Sequence, residues 1–145
     1  MKIRFRLLSP KDKKSYLELM SVFGMVDLNQ TQWEAWYEVY DESYKEVFLG
    51  IVDDVNLGEI VVCSASLLYE EKVYHNMGKA AHLEDVVVLP KYQGLGIGKS
   101  LIKYMIEQAK SMGCYKVILD CSNKNVGFYE KLGFKQHEIG MRISL

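Results

Sequence analysis

No stretch of this sequence is apolar for long enough to be a signal peptide or a membrane span, and Met1 to Leu8 alternates charged with apolar residues. That pattern points to a protein kept inside the cell, in the cytoplasm. Excess charge is missing too: the formal net charge is -1, so no overall field draws the chain to nucleic acid or to an anionic membrane surface. Any phosphate-bearing ligand must then be held by local geometry. Cysteine is scarce and odd in number, with Cys63, Cys114 and Cys121 and no C-x-x-C pair. This excludes a disulfide framework and a zinc site, so no metal is expected, and the three are read as buried thiols in or beside strands. There are two prolines, Pro10 and Pro90, and each marks a break between elements. Repeats, low-complexity runs and linkers are absent, and 145 residues suffice for one domain, 1–145, but not for two comfortable ones.

What is present has a clear order. Ile3, Phe5 and Leu7 alternate with Lys2, Arg4 and Arg6, the period of a half-buried strand. Ser9-Pro10-Lys11-Asp12 offers an N-cap, a proline at the first helical position and an acid in the first turn, so a helix is expected to about Val22. A loop follows from Phe23 to Gln30. Thr31-x-x-Glu34 has the form of a capping box, opening a helix that carries Trp33, Trp36, Tyr37, Tyr40 and Tyr44 at three- and four-residue spacing. Such a stripe either docks the helix on a sheet or lines a substrate cleft. Val47 to Val52 and Glu59 to Leu68 read as a hairpin across Asp53 to Gly58, and Ala81 to Leu89 as a third strand. Strand and helix then alternate: a long helix to Met112 with Ile97, Leu101, Met105 and Ala109 on one face, a strand from Tyr115 to Cys121, a short helix near Val126 to Leu132, and a last strand through Ile139, Met141, Ile143 and Leu145.

The stretch that organises the chain is His82 to Lys99: a buried strand, the break at Pro90, a glycine-rich loop and a helix start. Amides at such a junction lack partners and sit at the positive end of the helix dipole, which makes an anion site. Two nucleotide motifs fail there. Gly98-Lys99-Ser100 would need glycine where Gln93 stands, and a dinucleotide fingerprint would need glycine where Lys99 stands.

The full set Gln93-Gly-Leu-Gly-Ile-Gly98, Asn125-Val-Gly-Phe-Tyr129 and Leu132-Gly-Phe134 resembles the GCN5-related N-acetyltransferases (GNAT). His82-Leu-Glu-Asp-Val-Val-Val88, Gly113-Cys-Tyr-Lys116, Leu119-Asp-Cys121 and Lys124 to Phe134 narrow the resemblance to the branch that acetylates glucosamine 6-phosphate, over about the last 75 residues. The resemblance implies an α+β (mixed α/β) fold, with a twisted, mostly antiparallel mixed sheet flanked by helices. It implies acetyl-CoA as co-substrate, direct attack of the amine on the thioester, and a place on the way to UDP-N-acetylglucosamine.

By the same resemblance, the backbone of Val86, Val87 and Val88 pairs with the pantetheine arm. Amides of Gln93, Gly94, Leu95, Gly96, Ile97, Gly98 and Lys99 take the pyrophosphate, and Asn125 and Phe128 add cofactor contacts. Tyr129 approaches the sulfur as proton donor to the leaving thiolate. Glu84 and Asp85 lie at the sugar, although strict strand alternation would send their side chains to opposite faces. The backbone carbonyl of Asp120 polarises the amine. Lys72 and His75 fall in the family's substrate segment. Where the family carries a basic residue near the C-terminus this chain has Ser144, and Arg142, on the same strand face by parity, takes its place as a sugar-phosphate contact. A homodimer with a shared site and an exchanged last strand is implied as well. The alternatives are an acetyltransferase for another small amine and a non-catalytic acetyl-CoA-binding module; the latter would need neither Tyr129 nor Glu84.

Overall fold

A computed structural model describes residues 1–145. Five strands form one sheet in the order β1-β2-β3-β4-β5, with β1 Ile3–Leu7, β2 Lys45–Asp54, β3 Gly58–Glu71, β4 Lys79–Val88 and β5 Cys114–Ile118. The first four pair antiparallel and β4 pairs parallel with β5, so the sheet is mixed and mostly antiparallel, with helices on both faces. Helices α1 (Lys13–Met20) and α2 (Gln30–Glu38) precede the hairpin, the irregular turn α3 (Tyr74–Met77) links β3 to β4, and α4 (Ile97–Ser111) and α5 (Val126–Glu130) flank β5.

The helical period of α4 decides which sheet face is the main core. Ile97, Leu101, Ile102, Met105 and Ala109 are buried against Phe48, Ala65, Leu67, Ala81 and Leu83. Each fully buried aliphatic side chain contributes about 1.5–3 kcal/mol, enough to fix α4 on the strands that carry the loop before it. The opposite face holds a smaller core of Leu8, Tyr16, Trp33, Val47 and Leu49 under α1 and α2.

Several elements depart from the sequence-based expectations. Helix α2 starts earlier than the Thr31 box implies: Asn29 Oδ1 accepts from the Gln32 amide at 2.9 Å and Gln32 Oε1 accepts from the Asn29 amide at 2.9 Å. Asparagine is the stronger cap, so it wins the helix start. Tyr40 and Tyr44 lie beyond the end of that helix, and Tyr44 is exposed. The rest of the stripe docks the helix and also borders a cavity. Trp33 Nε1 donates to Pro10 O at 2.8 Å and Tyr37 Oη to Leu8 O at 3.1 Å, which docks α2, while Trp33 and Trp36 also line a cavity. Cys63 is buried and Cys114 half-buried, but Cys121 is exposed, because β5 ends at Ile118.

No last strand forms. Ile139, Met141, Ile143 and Leu145 alternate as a strand would, yet they are 82–116% exposed and pair with nothing. Alternation sets which face would be buried; a strand still needs a neighbour for its amides, and the segment does not pair with the open edge of β5.

The start of α1 is fixed by a buried charge. Asp12 accepts from Arg6 Nη1 at 2.7 Å and Nη2 at 2.8 Å, and from the Ser9 amide and hydroxyl, each at 2.8 Å. Burial works to raise its pKa, but these bonds outweigh it and hold the carboxyl below its ordinary value. The Asp12→Ala variant is expected to lose about 2–3 kcal/mol in urea unfolding. Because the folded value lies below the unfolded one, the wild-type contribution is whole above about pH 5 and falls away on acidification through the folded value. The variant's stability should therefore depend less on pH between about 5 and 3.

Candidate active site

Strands β4 and β5 run together only from Lys79 to His82, opposite Cys114 to Ile118. From Leu83 to Val88 the edge of β4 facing β5 is unpaired by backbone, so the sheet opens into a wedge. The sequence places its two candidate half-sites along that opening, one toward each face.

At the far end of β4 the chain turns through Pro90–Tyr92 into the glycine loop, which Gln93 ties back by donating from Nε2 to Val88 O at 3.0 Å. Gly94 (φ 76) and Gly96 (φ 80) take left-handed conformations that a side chain resists, and Gly96 serves as the N-cap of α4. No backbone amide from Gly94 to Lys99 finds a backbone acceptor; Ser100 to Gly96 O, at 3.1 Å, is the first such bond of the helix. These free donors surround the positive end of a 15-residue helix, a geometry suited to a phosphate or pyrophosphate. A Cβ on Gly98 would meet Phe128 Cζ at 3.5 Å and Val88 Cγ2 at 3.8 Å, so α5, the first turn of α4 and the end of β4 converge there. Gly98, Phe128 and Val88, separate in sequence, are brought together, and Asn125 stands at the N-terminal boundary of α5.

Tyr129 follows Phe128 on α5. Its half-buried ring packs edge-on to Phe128 at 5.0 Å and to Phe134 at 5.7 Å. Burial, with a smaller contribution from Cys121, pushes its phenol above the ordinary value, so it stays protonated and able to donate at neutral pH.

The acidic end corrects the strand argument. Ser64 pairs with Val87 but Ser66 pairs with Glu84, which sets Asp85 and Val86 of β4 against the single residue Ala65. Asp85 takes φ 52, a left-handed conformation that aspartate tolerates better than most residues. Before this bulge Ala81 and Leu83 enter the core under α4; after it Val86 and Val88 do, so the alternation has slipped by one. Glu84 and Asp85 are thus not sent to opposite faces. Burial pushes Tyr16 of α1 up to about 12, with the charge of Asp85 adding to it, so Asp85 acts on the α1 face. Glu84 answers to groups on that same face: desolvation first, then Asp85 and Asp120, raise its pKa, against opposing effects of His82 and Lys45. Glu84, Asp85 and Asp120 form one acidic group.

The candidate cations are placed less uniformly. Lys72 is engaged by Glu70, whose second oxygen lies 2.8 Å from His82 Nε2. His75 (φ 54) lies in the strained turn α3 and stacks on Tyr115 at 4.4 Å. Arg142 makes no ion pair, but its segment passes the acidic group: a Cβ on Gly140 would lie 3.2 Å from Asp120 Oδ1. On the same face a cavity of about 510 Å³ opens between α1 and α2, lined by Tyr16, Met20, Asp27, Trp33, Trp36 and Lys45. Sequence reading missed both the bulge and Lys45. Asp85 carries no signal of its conformation, whereas Lys45, Val47 and Leu49 share a period of two that would have put Lys45 on this face had β2 been started there.

Residues 16–134 match the acetyltransferase (GNAT) family. A glucosamine 6-phosphate N-acetyltransferase of Trypanosoma brucei brucei is 39% identical over 146 aligned residues, spanning 99% of this chain and 96% of that protein. One from Arabidopsis thaliana is 34% identical over 140 residues, 95% of this chain and 93% of that protein. The crystal structure of glucosamine-6-phosphate N-acetyltransferase from Arabidopsis thaliana superposes with a TM-score of 0.88 at 30% identity, covering 99% of each chain.

Proposed function

The chain belongs to the acetyltransferase (GNAT) family, and from that premise we propose that it moves the acetyl group of acetyl-CoA to the amine of glucosamine 6-phosphate, giving N-acetylglucosamine 6-phosphate. The observation that carries the reading is the wedge at β4 and β5, with six free amides at one end and three carboxylates at the other. A thioester arm fits the unpaired edge from Leu83 to Val88 as an added strand, and its pyrophosphate fits the amides of Gly94 to Lys99. Acetyl-CoA supplies the activated acetyl group. The amine lone pair forms the new C–N bond as the C–S bond breaks, and no acetyl-enzyme is needed.

In this reading the chain's residues divide the work. Glu84 and Asp85 orient the hydroxyl and amine end of the sugar, and Glu84 takes the proton that the amine gives up. The Asp120 carbonyl holds that amine, and Tyr129 delivers its phenolic proton to the departing thiolate. Lys72, His75 and Arg142 remain the contacts proposed for the sugar phosphate from the family pattern. The open edge of β5 and the unpaired apolar residues Ile139, Met141, Ile143 and Leu145 support a homodimer in which these segments cover each other, completing a shared site. Three unlinked thiols suit a reducing, cytoplasmic setting, and no helix is long and apolar enough to cross a membrane.

Thiol release from acetyl-CoA, measured with glucosamine 6-phosphate, glucosamine and a panel of other amines, tests the reading. Activity on the panel without activity on the phosphosugar would assign another acceptor, and thiol release with none of them would leave a binding module. The loop assignment is tested separately. The Gly96→Ala variant, forced to place a Cβ at φ 80, costs about 1–2 kcal/mol in that conformation and turns the amides away. Coenzyme A affinity by calorimetry is expected to drop about tenfold or more, with unfolding stability in urea lowered by no more than that strain of about 1–2 kcal/mol.

A further inference from the structure

Lys45 opens β2 on the face where Val47 and Leu49 join the core under α1 and α2. It lines the cavity of about 510 Å³ with Tyr16, Trp33 and Trp36, and an adjoining one of about 250 Å³ with Trp36, Tyr40 and Tyr44. Asp27 borders the first and Asp41 the second, yet no carboxylate pairs with the Lys45 ammonium. It is half-buried, and a cation in that position is stabilised by an anion that arrives with a ligand. Lys72, by contrast, is already engaged by Glu70.

The strand register gives Lys45 its place relative to the acidic group. Lys45 is level with Leu68, and Leu68 with His82, two residues before Glu84. One strand separates β2 from β4, so the two backbones are about 10 Å apart. Lysine and glutamate side chains reach toward each other from there on one face. Glucosamine 6-phosphate carries its amine on C2 and its phosphate on C6, at opposite ends of the ring. An anion entering this face meets Glu84, Asp85, Asp120 and Asp27, and needs a cation to offset them.

We propose that Lys45 determines acceptor specificity by receiving the phosphate on C6 while Glu84 and Asp85 hold the amine end of the sugar. The proposal rests on the acceptor assigned above and adds a phosphate ligand to it. It is tested by steady-state kinetics of the wild type, Lys45→Met and Lys45→Arg with glucosamine 6-phosphate and with unphosphorylated glucosamine. In Lys45→Met, KM for the phosphosugar is expected to rise about 10- to 100-fold. The loss on glucosamine should be several-fold smaller and the acetyl-CoA KM should hold. Lys45→Arg should recover most of the phosphosugar KM. An unchanged phosphosugar KM, or equal losses on both sugars, would overturn the role of Lys45 and leave the activity standing. A wild type that does not prefer the phosphosugar would instead overturn the acceptor assignment.

Discussion

Replacing Tyr129 with phenylalanine is expected to lower kcat about 100-fold or more while leaving coenzyme A affinity within about twofold of wild type. The hydroxyl makes no hydrogen bond within this chain, and the ring is held by Phe128 and Phe134, contacts that phenylalanine keeps. Losing it therefore orphans no partner, and unfolding in urea should be nearly unchanged. The effect falls on the leaving group, since a thiolate departing into a half-buried site without a donor carries its charge unrelieved. The pH profile offers an independent check. Burial and Cys121 hold the phenol above its ordinary value, so the wild type should show no loss of kcat from this group below about pH 10. A Tyr129→Phe enzyme with unchanged kcat would remove Tyr129 from the mechanism.

The contrast between Tyr129 and Glu84 shows how far the sequence could be read. Strands β1 to β4, helix α4 and the glycine loop were legible because each rests on a local rule: period two, period 3.6, and glycine where φ is positive. Position along the chain was enough to place Tyr129 and Phe128 on one short helix beyond β5. The acidic pair was legible by type but not by direction. Alternation is a property of an unbroken ladder, and the extra residue opposite Ala65 breaks it at Asp85 without any glycine or proline to announce it. The last strand failed for a related reason. Ile139 to Leu145 has the pattern of a strand, but pairing is decided by a neighbour, and no pattern within the segment states where that neighbour is. Lys45 shares the period of Val47 and Leu49, which gives its face, but its level with the acidic pair depends on β4 lying two strands away, which no local pattern states.

The Glu84→Gln variant should separate chemistry from stability more sharply than any other change at this site. Glutamine preserves shape and can still bond a sugar hydroxyl, but it cannot take the amine's proton, so kcat/KM for glucosamine 6-phosphate is expected to fall about 100- to 1,000-fold. The pH profile distinguishes lost proton transfer from lost positioning. In the wild type, two groups must be deprotonated for reaction, Glu84 and the acceptor amine, so log kcat/KM should steepen toward a slope of two on the acid side. Desolvation, with Asp85 and Asp120 adding to it, places the Glu84 step above the ordinary glutamate value of about 4.3. With glutamine only the amine step remains and the slope should stay at one; a slope of two in the variant would exclude Glu84 as the base. Stability moves the other way. A carboxyl whose folded pKa lies above its unfolded one favours the fold while protonated and disfavours it as pH rises through the folded value. At neutral pH the wild type thus carries an unfavourable charge that Glu84→Gln removes, and the variant should melt at a slightly higher temperature than wild type at pH 7. That gain should vanish at acid pH, where Glu84 is already neutral. A slower enzyme with a stability advantage confined to neutral pH is the signature expected of a carboxylate held against its electrostatic surroundings for the sake of proton transfer.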